Sequence, residues 1–202
     1  MAGPIKHRYT EFGQDMIEAA TYAVTTRDVF KLEYLYIMIH DWLADEGWGS
    51  RDDSKFGETY YMQREHPQHG KEIWIRWRLK KQAPVSPKTY LWIMDIDFKI
   101  IGLKDTEIVY KNQKVKMDRG EFELACRGAL IVDYGKEWEK SALKRLKRTW
   151  LRRIHRHQLG LQKKAIYEEC YRLRDLVLSY LKFENIFPEK EAGEFYVKRT
   201  LE

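Results

Sequence analysis

Cysteine is nearly missing: only Cys126 and Cys170 occur, the first in an expected strand and the second in an expected helix. Two distant thiols support neither a disulfide framework nor a cysteine zinc site, and a reducing cytoplasm is the expected compartment. Long hydrophobic runs are also missing. None approaches the roughly 20 apolar residues of a membrane-spanning helix, and residues 1–10 lack the apolar centre of a secretory signal, so no transmembrane segment is expected. The 12 Gly and 5 Pro punctuate the chain without clustering, which leaves no low-complexity tract and no repeat of useful period. A Gly-rich phosphate loop, a Gly-x-Ser-x-Gly elbow, a His-Glu-x-x-His helix and a Cys-x-x-Cys pair are all lacking. The expectation is therefore a non-enzymatic protein with no cofactor. One last absence is local: residues 140–164 hold ten Lys or Arg and no Asp or Glu.

What is present makes a folded domain. Hydrophobic residues at 44% are too many for a disordered chain, while 34% charged residues are too many for a membrane-embedded one. The 202 residues fit one domain of ordinary size. Residues 1–21 read as an N-terminal extension, in which Met16 and Ile17 fit a short helix. Residues 22–184 read as a single α+β domain with a basic helical arm over 137–184, and residues 185–202 as a C-terminal tail.

Within the domain, Tyr22, Val24, Thr26, Asp28 and Phe30 alternate as a strand does, and Leu32, Leu35, Tyr36, Ile39, Trp42 and Leu43 follow helical spacing until Gly47 and Gly49. Residues 55–134 read almost wholly as strand, with breaks at 67–70, 84–87, Gly102, Asn112 and 118–120. The clearest strand, 71–81, sends Ile73, Ile75, Trp77 and Leu79 one way and Trp74, Arg76, Arg78 and Lys80 the other, so one face is core and the other is expected to meet water. Tyr90, Trp92, Met94, Ile96, Phe98 and Ile100 share a face, as do Phe122, Leu124, Cys126, Leu130 and Val132; both sets are expected in that core. A tight turn at Asn112-Gln113 joins 107–111 to 114–117. After Gly135 the period becomes helical. Leu143, Leu146, Trp150 and Ile154 form a narrow apolar stripe in a cationic surface, Gly160 is expected to bend or end that helix, and a second helix carries Ile166, Cys170, Leu173, Val177, Tyr180 and Leu181 to Pro188. The predicted fold is an antiparallel meander of about six strands with one N-terminal helix and long C-terminal helices, an order like that of helix-grip proteins of the START and Bet v 1 type.

The segments Leu32-Glu33-Tyr34-Leu35-Tyr36, Trp42-Leu43, Gly47-Trp48, Gly70-Lys71-Glu72-Ile73-Trp74, Gly102-Leu103-Lys104-Asp105, Lys114-Val115-Lys116-Met117 and Asp133-Tyr134-Gly135-Lys136-Glu137-Trp138 resemble an uncharacterised family of small archaeal α+β proteins. The resemblance covers roughly 22–184, while the basic run and the tail depart from it. It implies the architecture and an archaeal-type cytoplasmic setting, and it transfers no site.

Five clusters are candidates for chemistry. His66 and His69 flank Pro67-Gln68, but a metal needs more ligands, and a polar loop is the favoured reading. Asp95 and Asp97 share a strand face about 6.5 to 7 Å apart, a spacing open to paired carboxylates; solvent-facing strand charges are favoured. Asp45, Glu46, Asp52 and Asp53 form an acidic loop without calcium-hand spacing. Lys144, Arg145, Lys147, Arg148, Arg152, Arg153 and Arg156 crowd a few helical turns, where mutual repulsion calls for something acidic opposite. Trp74, Arg76 and Arg78 add an aromatic and cationic platform of the kind that stacks bases. The expected function is a binding or assembly scaffold whose basic amphipathic helix meets an acidic surface, either another copy in a homo-oligomer or filament or a second protein. The alternatives are a carrier of an apolar ligand in a cavity lined by Trp77, Leu79, Trp92, Met94, Phe98 and Leu130, and a protein that binds nucleic acid or an anionic membrane surface. An enzyme using Asp95 and Asp97 is the third class.

Overall fold

The computed structural model describes residues 16–85, 89–110, 113–133, 153 and 156–185. Strands β1 (Met16–Thr26) and β2 (Val29–Phe30) lead into helix α1 (Leu32–Asp45); a short 3-10 turn (Asp53–Lys55) precedes β3 (Glu58–His66), β4 (Gly70–Gln82), β5 (Tyr90–Tyr110) and β6 (Gln113–Val132); helix α2 (Arg156–Asn185) follows. The strands form one antiparallel six-stranded sheet in the order β1-β6-β5-β4-β3, with β2 also pairing β6. The α+β class and the antiparallel sheet agree with the sequence reading.

The core forms because each long strand keeps its apolar residues on one parity and both helices lie on that face. Ile73, Ile75, Trp77 and Leu79 of β4 meet Met94, Ile96, Phe98 and Ile100 of β5 and Phe122, Leu124 and Leu130 of β6 in a single buried cluster. Leu35, Ile39 and Leu43 of α1 and Ile166, Cys170, Leu173 and Val177 of α2 close it, all with no exposed surface. Each such Ile, Leu or Val stabilises the fold by about 1.5–3 kcal/mol through loss of contact with water. Helix α1 stops where the sequence places the stop: Gly47 adopts φ +77, and the Trp48 N–H donates to the Leu43 carbonyl at 2.8 Å.

Four expectations need correction. Met16 and Ile17 belong to β1, which starts well before Tyr22, because pairing with Ile131 and Leu130 satisfies their backbone. Gly102 and residues 118–120 do not end strands; β5 and β6 run on through a bulge, since Gly102 at φ +67 absorbs the local kink. Gly160 does not end a helix either. It lies inside α2 with open space around it, where its cost is the modest one of backbone entropy. Most importantly, the outer sheet face does not simply meet water: Asp95 is 1% exposed and Asp97 8%, and Leu91, Ile93 and Ile131 form a second small apolar cluster there.

Candidate functional site

Cross-strand register explains what stands around the two aspartates. Asp97 is opposite Arg76 of β4, while Asp95 has Arg78 on one side and Arg127 of β6 on the other. Arg78 Nη2 donates to Asp97 Oδ1 at 2.8 Å, Arg78 Nε is 3.8 Å from Asp95 Oδ1, and Arg76 Nε is 3.8 Å from Asp97 Oδ1. The pair is therefore an arginine-compensated ion cluster on a covered face, a different environment from the solvated charges the sequence led us to expect. The same contacts change the platform. Arg78 has only 7% of its side chain exposed, and Arg76 lies over the Tyr60 ring with its cation 5.1 Å from the centroid. Trp74 donates its indole N–H to Glu72 at 2.7 Å and carries Lys99 over its ring. The tertiary structure thus supplies Trp74, Arg76 and Arg78 with partners from their own sheet.

The acidic loop is similarly engaged. Arg172 of α2 makes a bidentate pair with Glu46 at 3.0 and 3.2 Å, Arg51 pairs with Asp45, and Lys55 Nζ is 3.6 Å from Asp52. Asp52 also caps Ser54, whose hydroxyl and backbone N–H hold that carboxyl below its usual range. His66 and His69 face each other at the end of the β3–β4 hairpin with ring centroids 4.8 Å apart. Among the described residues, no group of three His, Cys, Asp or Glu is placed to hold a metal.

Of the basic arm, Lys144, Arg145, Lys147, Arg148 and Arg152, together with the apolar stripe Leu143, Leu146, Trp150 and Ile154, lie outside the described residues. Arg153 and Arg156 lie inside them, and both are exposed. Among the described residues, no helix is long and apolar enough to cross a membrane.

Sequence patterning missed a polar knot inside the core face. Lys81 Nζ contacts both carboxylate oxygens of Glu169 at 2.9 and 3.0 Å, Trp48 Nε1 donates to Glu169 Oε2 at 2.6 Å, and Trp92 Nε1 donates to Gln162 at 2.9 Å. The Lys81 ammonium also lies 5.4 Å from the centroids of Trp48 and Trp92, so two ring faces and one carboxylate hold it. The signal was available: Lys81 has the inward parity of Ile73, Ile75, Trp77 and Leu79, and Glu169 sits three residues after Ile166 on the buried stripe of α2.

No family model matches the chain, and no curated protein matches it in sequence. Two surfaces of the chain stand out. An open groove of about 350 Å³ runs between α1 and the β3–β4 end of the sheet, with Leu32, Tyr36, Ile37, Ile73, Ile75 and Leu103 as its apolar lining. Beside it, β3 is the last strand of the sheet among the described residues, and eight of its nine residues are exposed. The six residues named for an interior ligand cavity, Trp77, Leu79, Trp92, Met94, Phe98 and Leu130, are instead packed in the core at 0–2% exposure.

Proposed function

We propose that the chain is a non-enzymatic binding and assembly protein that associates with a second copy of itself through the outer edge of β3, the basic arm being turned to an acidic surface. The observation that carries this reading is the exposure of the 58–66 edge. An edge strand offers a row of backbone N–H and C=O groups to another strand, and proteins that stay apart usually guard such edges with charge or proline. Here the centre, Thr59-Tyr60-Tyr61-Met62-Gln63, carries neither. Charge sits only toward the ends, Glu58 at one and Arg64, Glu65 and His66 at the other. Antiparallel pairing about Met62 would bring Glu58 against His66 and Tyr60 against Arg64 of the copy, a self-complementary arrangement. Helix-grip-like topology and an archaeal setting belong to the same proposal, supported respectively by α2 lying on the inner face of β1 and β6 and by the sequence segments quoted above.

Light scattering over concentration and salt series tests it. The expected result is a dimer that Thr59→Pro together with Tyr61→Lys converts to a monomer. A wild-type chain that is a monomer throughout, and that ignores DNA, RNA and anionic vesicles at low salt, defeats the reading. A carrier of an apolar ligand is the second reading, favoured by the groove beside α1. Native mass spectrometry separates the two, since a carrier retains a lipid-sized adduct as a monomer.

A further inference from the structure

A second cavity, also about 350 Å³, lies where the β3–β4 turn, the β5 bulge and β6 meet, and it is lined by Arg27, His69, Lys104, Arg119 and Glu121 around two glycines. Its construction follows from the bulge. Ile101 pairs with Glu121, and register resumes with Lys104 opposite Arg119, so Gly102 and Leu103 together face Gly120. Close approach of the strands depends on that glycine, because a Cβ there would sit 3.1 Å from the Ile101 carbonyl oxygen and from Leu103 Cα.

The consequence is electrostatic. Lys104 and Arg119 are direct cross-strand partners, and like charges in that position repel. Arg27 brings a third cation to the same cavity, with the imidazole of His69 alongside. Among the described residues the lining holds one carboxylate, Glu121, and Arg27 already takes it at 3.2 Å. Among the described residues, Lys104 donates only to the Gln68 carbonyl, a neutral group, at 3.3 Å. Arg119 has no ion pair among the described residues. Among the described residues, these two cross-strand cations therefore have no carboxylate of their own at the hollow.

We propose that this cavity is an anion site for a phosphate group, with Arg119 and Lys104 as its principal donors and Arg27 as the third. A planar guanidinium and an ammonium on adjacent strands offer a phosphate several charge-assisted hydrogen bonds at once, and the glycine-lined wall lets it approach the backbone. Among the described residues, the site shares no residue with the β3 edge or with the basic arm.

Amide NMR titration of the full chain at low salt, with pyrophosphate and then with glycerol 3-phosphate, tests it. Saturable shifts of the Gly102 and Gly120 amides are expected with at least one probe; a response to pyrophosphate alone assigns the site to a free inorganic anion, and a response to both assigns it to a phosphoryl group in general. Arg119→Ser and Lys104→Ser should each weaken binding about tenfold, the worth of one charge-assisted contact. Lys116→Ser and, separately, Lys164→Ser remove an exposed cation that does not line the cavity and should leave the Gly102 and Gly120 shifts in place. Absence of saturable shifts with either probe, or equal weakening by the control variants, overturns the proposal.

Discussion

Glu169 of α2 accepts both Lys81 of β4, at 2.9 and 3.0 Å, and the indole N–H of Trp48, at 2.6 Å. One carboxylate thereby ties the C-terminal helix to the sheet and to the loop that ends α1. Glu169→Ala should destabilise the protein by about 2–4 kcal/mol, because it strands a largely buried ammonium and an indole donor. Urea denaturation measures this. Lys81→Met with Glu169→Leu should be much milder than either single change, since an apolar pair needs no partner.

On the opposite sheet face, Arg78 serves Asp97 and Asp95 at once. Arg78→Leu should cost about 3 kcal/mol by leaving two buried carboxylates with less compensation, and Asp97→Asn added to it should recover part of the loss. A double-mutant cycle in thermal unfolding is the check. An additive result would mean that the cluster is not coupled.

Helix α2 packs closely on β6 at Gly128. A Cβ there would stand 2.4 Å from Cys170 Sγ and 2.9 Å from Ile166 Cγ2. Gly128→Ala should therefore cost about 1–3 kcal/mol through overpacking, and Cys170→Ala should relieve much of it by removing the sulfur. Chemical denaturation of the two single variants and the double variant decides the point.

Cys170 also sets a pH response. A hydrogen bond with Cys126, and then burial, push the Cys170 thiol well above its ordinary range, and burial does the same to the Tyr22 hydroxyl. Both groups stay protonated in the fold while their unfolded counterparts ionise. Their contribution is full below the ordinary thiol value and is lost as pH rises past it, from about pH 8.5 upward. Melting temperature should fall across that alkaline range, and Cys170→Ala should flatten the early part of the fall. Alkylation of Cys170 near neutral pH should require unfolding.

Local periodicity determined a good deal. The alternation in 71–81 and 90–100 and the helical spacing of 32–43 and 166–181 identify β4, β5, α1 and α2 and their buried faces, because burial on one side imposes a period of two or 3.6 that survives in the order of residues. Gly47 reads as a helix stop for an equally local reason, a positive φ. Gly102 reads as a strand end but bulges the strand, since a glycine that breaks a strand and one that bulges it look alike until the partner strand is known. The environment of Asp95 and Asp97 belonged to tertiary structure alone: their parity announced an outer face, and only register with Arg76, Arg78 and Arg127 revealed that the face is covered and its charges matched. Lys81 with Glu169, and Lys104 with Arg119 and Arg27, are likewise products of register and packing. Charged groups distant in sequence carry no mutual signature, and what each can bind follows from the neighbours that the folded sheet supplies.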